Sequence, residues 1–203
     1  MSPESLAREL QIALLRIWRG GEYMLASVRD SLEAGADPTL KIAYGPSMLS
    51  ACQVLALRTS ALPDNLEAAR LFDRYAPGCW EAAYADGNRL LPVAHLAAEA
   101  ATSREWVPAL AQAGLIDINR RSIHGTRALH HAAITGTEAA YGEFTAAGAV
   151  DCPIELSRQE LALLRLRGLW VPEAPWYGKT AAELVAAPGI DLDELAAELG
   201  EGS

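Results

Sequence analysis

The sequence predicts an all-α fold, an α-solenoid of about five helix-turn-helix units with irregular insertions, and three observations predict it. Of the 203 residues, 39 are Ala and 29 are Leu, both strong helix formers, whereas aromatics are only 6%. The chain also carries 16 Gly and 11 Pro, which break it into short helices and exclude a coiled coil. Glycines that close helical stretches recur at Gly35, Gly78, Gly114 and Gly148, with separations of 43, 36 and 34 residues. A period of that size marks stacked repeats. Two short antiparallel helices cannot bury both faces alone, and stacked copies can.

The units run in order at about 3–39, 40–78, 79–119, 120–151 and 178–200, with an insertion at 152–177. Ser2 is placed to cap an amphipathic helix over Ser5 to Arg19, with Pro3 at its first helical position. The second helix of that unit ends in the turn Gly35-Ala36-Asp37-Pro38-Thr39. In the second unit Gly45-Pro46-Ser47-Met48-Leu49-Ser50-Ala51-Cys52 opens the first helix, and Leu66 to Tyr75 forms the second. A longer loop over 56–64, carrying Pro63, separates them. The third unit contains His95-Leu96-Ala97-Ala98, then Gly114 and Asp117-Ile118-Asn119. The fourth has the plainest pattern. After Gly125, a short helix over 127–135 carries Leu129, His130 and the small pair Ala132-Ala133, and Gly136 stops it. A second helix over 137–147 sets Ala140, Tyr141 and Phe144 on one side before Gly148. Within the insertion, Leu156 to Leu169 reads as an extra helix, followed by a Trp-flanked segment from Trp170 to Tyr177. Gly178-Lys179-Thr180-Ala181 opens the last unit, and Pro188-Gly189 separates it from a closing helix over Asp191 to Leu199.

Residues 125–149 resemble an ankyrin repeat, whose signature is G-x-T-P-L-H-x-A-A-x-x-G, a second helix and a closing G-A-D. Arg127 and Ala128 depart from it where Thr and Pro are usual. The resemblance covers nearly the whole chain. It is closest at 125–149, good at 22–39 and 92–119, and broken by the insertion. It implies structural roles for His95, Gly114, Gly125, Leu129, His130, Gly136, Gly148, Gly178 and Thr180, with the histidine rings bonding backbone across the loops. It also implies that the segments between repeats form fingers beside a groove. Tyr44, Trp80, Tyr84, Trp170, Trp176 and Tyr177 fall in such segments, together with Arg120, Arg121 and His124. Aromatics and arginines there are expected to anchor a protein partner. Trp18 and Trp106, on helices, and Cys52, in an Ala position, are expected in the core.

Other classes are excluded by composition. With 17 basic against 26 acidic residues the net charge is −9, which disfavours nucleic acid or an anionic membrane and suits a neutral or basic protein partner. Cys52, Cys79 and Cys152 are few and scattered, as expected in a reducing cytoplasm. The start lacks the pattern of a signal peptide, and no apolar run reaches 18 residues. His124, His130 and His131 are close in sequence but have no carboxylate or cysteine at ligand spacing, so no metal is expected. Gly178-Lys179-Thr180 resembles the end of a phosphate loop, but Glu173 stands where its first Gly belongs. Neither a catalytic constellation nor a cofactor is expected. The reading is a non-enzymatic protein-binding module, monomeric outside its complex, that masks or regulates a specific partner. Its narrow form is an immunity protein against a cognate bacterial toxin. The alternative is a secreted effector that binds host proteins. Behind both stands an enzyme built on the insertion, where only Glu155, Glu160 and Glu173 could move protons.

Overall fold

The computed structural model describes residues 2–17, 23–44, 47–58, 63–100, 104–135, 138–172 and 176–186. Trp18, Gly136, Gly45-Pro46 and the closing helix expected over Asp191 to Leu199 lie outside these residues. The last unit is described only to Ala186.

The first helix, α1 (Pro3–Ile17), starts as expected. The Ser2 hydroxyl accepts the Ser5 amide at 3.2 Å, and Pro3 occupies a position where an N–H has no helical partner. There follow α2 (Tyr23–Glu33), α3 (Ala51–Arg58), α4 (Pro63–Tyr75), α5 (Val93–Glu99), α6 (Trp106–Gln112), α7 (Ala128–Thr135), α8 (Glu138–Ala146), α9 (Arg158–Leu166) and α10 (Ala181–Ala186). They pack in two rows. One row is α1, α3, α5, α7 and α10, each against the next; the other is α2, α4, α6 and α8. Within each unit the two helices also pack on one another.

Residue size explains the rows. In the first row the buried side chains include many small ones: Ala51, Cys52, Ala97, Ala98, Ala132 and Ala133. Small side chains allow short helices to approach closely. In the second row the seams are filled by Phe72, Trp106, Leu110 and Phe144, all without solvent exposure. Three of the unit-closing glycines end their helices in one way. At Gly148 (φ +93) the glycine amide bonds Thr145 O and the next amide bonds Phe144 O, both at 3.0 Å. This is the Schellman closure, and Gly35 and Gly114 repeat it.

The all-α expectation does not hold. Two antiparallel hairpins stand between the helix pairs, so the architecture is mixed, though helix dominates it. One joins β1 (Ile42–Tyr44) to β2 (Ser47–Leu49), with Ala43 opposite Met48. The other joins β3 (Ala83–Asp86) to β4 (Arg89–Pro92), with Tyr84 opposite Leu91. The sequence places Ser47 to Leu49 at the start of a helix and predicts no strand over 83–92; the helix begins only at Ala51. The strands pair because the chain must reverse sharply between units. In the second hairpin Gly87 supplies φ +58, while no other described residue type takes a positive φ. That sign pattern, positive then negative, belongs to a type II′ turn, whose twist matches the strands it joins.

The insertion is a closed loop on the stack. At its base the Ile154 amide bonds Lys179 O at 3.0 Å, and the Gly178 amide bonds Ile154 O at 2.8 Å. Its helix α9 is shorter than the expected 156–169. Ser157 and Glu160 form a reciprocal capping box at the start, and Gly168 at φ +63 ends it. Leu164 is buried, and Leu161 and Leu169 are half-buried against the stack. Where the insertion crosses the 120–126 loop, Gly125 has φ +80, and a Cβ there would lie 2.9 Å from Glu155 O and 3.2 Å from Leu156. Only glycine fits that crossing. Among the described residues, no helix is long and apolar enough to cross a membrane.

Candidate functional site

The chain has four histidines, and all four are buried. Stacking of α5 on α7 brings them together, and the insertion closes over them. His130, on α7, is a bridge: its Nδ1 accepts the Arg127 amide at 2.9 Å, and its Nε2 donates to Cys152 O at 2.7 Å. His95 holds the same station one unit earlier, and its Nε2 donates to Arg120 O at 3.2 Å. Its Nδ1 has no partner. The reason lies three residues upstream: where His130 has Arg127, His95 has Pro92, which carries no N–H. His124 also bridges. Its Nε2 accepts the Leu90 amide at 2.9 Å, so Nδ1 donates to Trp170 O at 2.7 Å. His131 places Nδ1 2.7 Å from Glu99 and Nε2 2.9 Å from the Thr126 hydroxyl. The Thr126 hydroxyl in turn meets Ser122 Oγ at 2.8 Å. Arg89 completes the network on Glu99 at 2.6 Å.

Environment sets the charges. Burial would raise the Glu99 carboxyl, but hydrogen bonds from His131 and Arg89 outweigh it and hold it down at about 2. Burial pushes His95, His124 and His130 below the ordinary histidine value, and the nearby His131 pushes the same way. The carbonyls of Arg120, Trp170 and Cys152 respectively oppose the shift without reversing it. Two tryptophans roof the cluster. Trp170 packs edge-on against Trp176 at 5.6 Å and tilts over His124 at 5.3 Å, and Trp176 meets His131 at 6.2 Å.

Thr126, His131 and Glu99 follow the hydroxyl–imidazole–carboxylate order of a nucleophilic triad. Thr126 and His131 have no solvent exposure, however, and His131 packs against Trp176 of the insertion. Among the described residues, no three His, Cys, Asp or Glu side chains converge as a metal site requires.

The residues expected to meet a partner are dispersed. Trp80 is fully buried, stacked on Phe72 at 6.1 Å, with its indole N–H donated to Ala69 O at 3.1 Å. Tyr84 is buried with its hydroxyl on Cys79 O at 3.2 Å, and burial raises its phenol. With His124, these two belong to the interior and not to a surface. Each has a buried hydrogen-bond acceptor and a packed face, which an exposed finger would forfeit. Tyr44, Trp170 and Trp176 are half-buried. Arg120 pairs with Glu81 at 3.1 Å. Arg121 reaches Glu160 and Glu155 O, each at 2.6 Å, and Tyr177 bonds Leu156 O at 3.1 Å. The motif residues are placed more regularly. Leu129 is buried, and Gly114, Gly125, Gly148 and Gly178 all have positive φ. Thr180 caps α10 in a reciprocal pair with Glu183.

Sequence reasoning missed the most exposed apolar group. Leu166 is 86% exposed, Leu163 46% and Ile123 44%. On α9 the two leucines lie three apart, turned away from Leu161 and Leu164, so they form a second apolar stripe. Exposed Arg158 and Arg165 flank it on one side, and Arg167 and Arg121 on the other. A cleft of about 280 Å³ runs beside it, lined by Ile123, Leu163, Leu164, Leu169, Arg121 and Arg167 among others. The 3.6-residue period carried this signal, since α9 has leucines on two faces. Charge is uneven as well: residues 120–179 sum to +1, and the rest of the chain to −10. No protein-family model matches this chain, and no curated protein matches it.

Proposed function

We propose that the chain is a non-enzymatic protein-binding module, akin to ankyrin-repeat proteins, that masks a partner through α9 and the Ile123 turn. One observation carries this reading. A helix capped at both ends and pinned at its base presents Leu163 and Leu166 to solvent beside Ile123. A rigid apolar stripe with a polar rim is the form of a protein contact, and large exposed side chains grouped this way seldom serve the isolated monomer. The kinship with ankyrin repeats is supported by the two helix rows, by the hairpins between them, and by the bridging bonds of His130.

Arginines on both sides of the stripe specify the partner's chemistry. Its matching patch has an aliphatic or aromatic anchor for the cleft, bordered by carboxylates. The net charge of −9 argues for a neutral or basic partner, but it averages over an uneven surface, and α9 with its C-terminal flank, 158–167, holds three arginines against one glutamate. In its narrow form the proposal is an immunity protein, with the anchor and carboxylates on a toxin.

A photo-reactive residue placed at Leu166 in the native cell tests the contact, with the same residue at exposed Arg70 as control. A protein captured at 166 alone is then purified and its affinity measured. Leu163→Asp and Leu166→Asp should each weaken binding about tenfold or more, as expected for anchors. Equal capture at both positions, or unchanged affinity in both variants, would overturn the reading.

A further inference from the structure

Two of the buried histidines hold the insertion at separate points, and both do so in a form that admits no second proton. Cys152, at the insertion's start, hangs on His130 Nε2, and Trp170, near its end, hangs on His124 Nδ1. In each ring the remaining nitrogen accepts a backbone amide, from Arg127 and Leu90 respectively. That nitrogen is where a second proton must go. Protonation would set N–H against N–H at about 2.9 Å and would leave a charge in a buried site.

Few neighbours compensate. His124 faces Arg89, His131 and the Trp170 ring. His130 faces Arg127, His131, His95 and one carboxylate, Asp151. That carboxylate is already engaged by the amides of Ala181 and Ala182 and by the Tyr141 hydroxyl. Glu99 bonds His131 and Arg89, not the two clamping rings. From α10 and its approach, Lys179 and Glu183 are the charged groups, and Glu183 caps its own helix.

We propose that His124 and His130 form an acid-released clamp: in neutral form they fasten the insertion to the stack, and protonation of both frees it. This inference is independent of α9 contacting a partner, since it concerns how the insertion is held. The direction follows from linkage. A histidine kept neutral by the fold adds stability above its free value near 6.5, and that stability is lost as pH falls below it toward the depressed folded value. Glu99 and the insertion's own Glu160, both held at about 2, do not titrate in the window between pH 7 and 5.

Amide hydrogen exchange of the full chain at pH 7.5, 6.5 and 5.5, corrected for intrinsic rates, reads the clamp directly. If release takes up two protons, the opening of residues 152–172 should rise by up to about 100-fold per pH unit below 6.5. Amides of α1 and α4 should stay unchanged, and returning to pH 7.5 should restore protection. His124→Gln, which keeps an acceptor but cannot be protonated, should cut the slope toward about tenfold per unit. Equal protection of 152–172 at all three pH values overturns the proposal. So does parallel loss in α1 and α4, which would be acid unfolding of the whole chain. The wild-type profiles decide between these outcomes even if the variant fails to fold.

Discussion

Gly125→Ala should cost far more stability than Gly35→Ala, although both replace a glycine of positive φ. At Gly35 (φ +94) a Cβ would meet nothing within 4 Å. The cost there is left-handed strain of about 1–2 kcal/mol, partly offset by about 0.4–1 kcal/mol from the stiffer unfolded chain. A net loss near 1 kcal/mol is expected. At Gly125 (φ +80) the same strain applies, and the Cβ also lies 2.9 Å from Glu155 O and 3.2 Å from two Leu156 atoms. A backbone carbonyl cannot swing aside as a long side chain can. The insertion must shift, adding about 1–3 kcal/mol. Urea unfolding of both variants measures the difference. With a slope of about 3 kcal/mol/M, the Gly125→Ala midpoint should fall about 0.3–1 M below that of Gly35→Ala. Hydrogen exchange should place the extra loosening in residues 152–157. Coincident midpoints would refute the close crossing of the insertion over Gly125.

Two further outcomes are expected. Glu99→Gln removes a carboxylate held at about 2, well below its ordinary 4.5. A depressed carboxyl stabilises the fold above its free value and loses that effect as pH falls from 4.5 toward 2, so the variant should lose up to about 3 kcal/mol at pH 7. The gap from wild type should narrow in denaturant curves at pH 3; parallel curves at the two pH values would show that Glu99 is not acting through its charge. Trp80→Ala opens a cavity in the α4 seam and removes the indole bond to Ala69 O, so a loss of about 3–5 kcal/mol is expected by calorimetry. A small loss there would instead return Trp80 to the surface role its position between units suggests.

The helix pairs and their closures were legible because their signals are local. Ser2 and Pro3 mark the start of α1, and a glycine at Gly35, Gly114 or Gly148 announces a left-handed turn wherever it follows a helical stretch. The second hairpin carried a turn signal that the all-α expectation passed over, Gly87-Asn88 between Ala83-Tyr84-Ala85-Asp86 and Arg89-Leu90-Leu91-Pro92; the first, whose Ser47 to Leu49 strand was expected in a helix, did not. The depth of the segments between units was not legible. Trp80 lies two residues after Gly78, and only that reversal (φ +75) turns the chain back toward α4. A tryptophan in a short segment gives no sign of which way the chain will turn. The histidine cluster was less legible still. His95 and His131 are 36 positions apart, yet their rings stand 5.3 Å apart, a meeting created by α5 packing on α7. The exposed face of α9 was hidden by its own composition. Five leucines within 161–169 suggest docking, and only placing Leu164 inward shows that Leu163 and Leu166 must point out.

The missing partner of His95 has a use beyond the fold. His95 and His130 occupy the same station in successive units, donate alike through Nε2, and differ at Nδ1 by one amide that Pro92 cannot supply. The molecule therefore contains its own matched pair, a buried imidazole with one backbone hydrogen bond removed and its control. Nitrogen resonances of the two rings, recorded together in one labelled sample, would report what that single bond does to an imidazole lone pair, with solvent, temperature and concentration shared by construction.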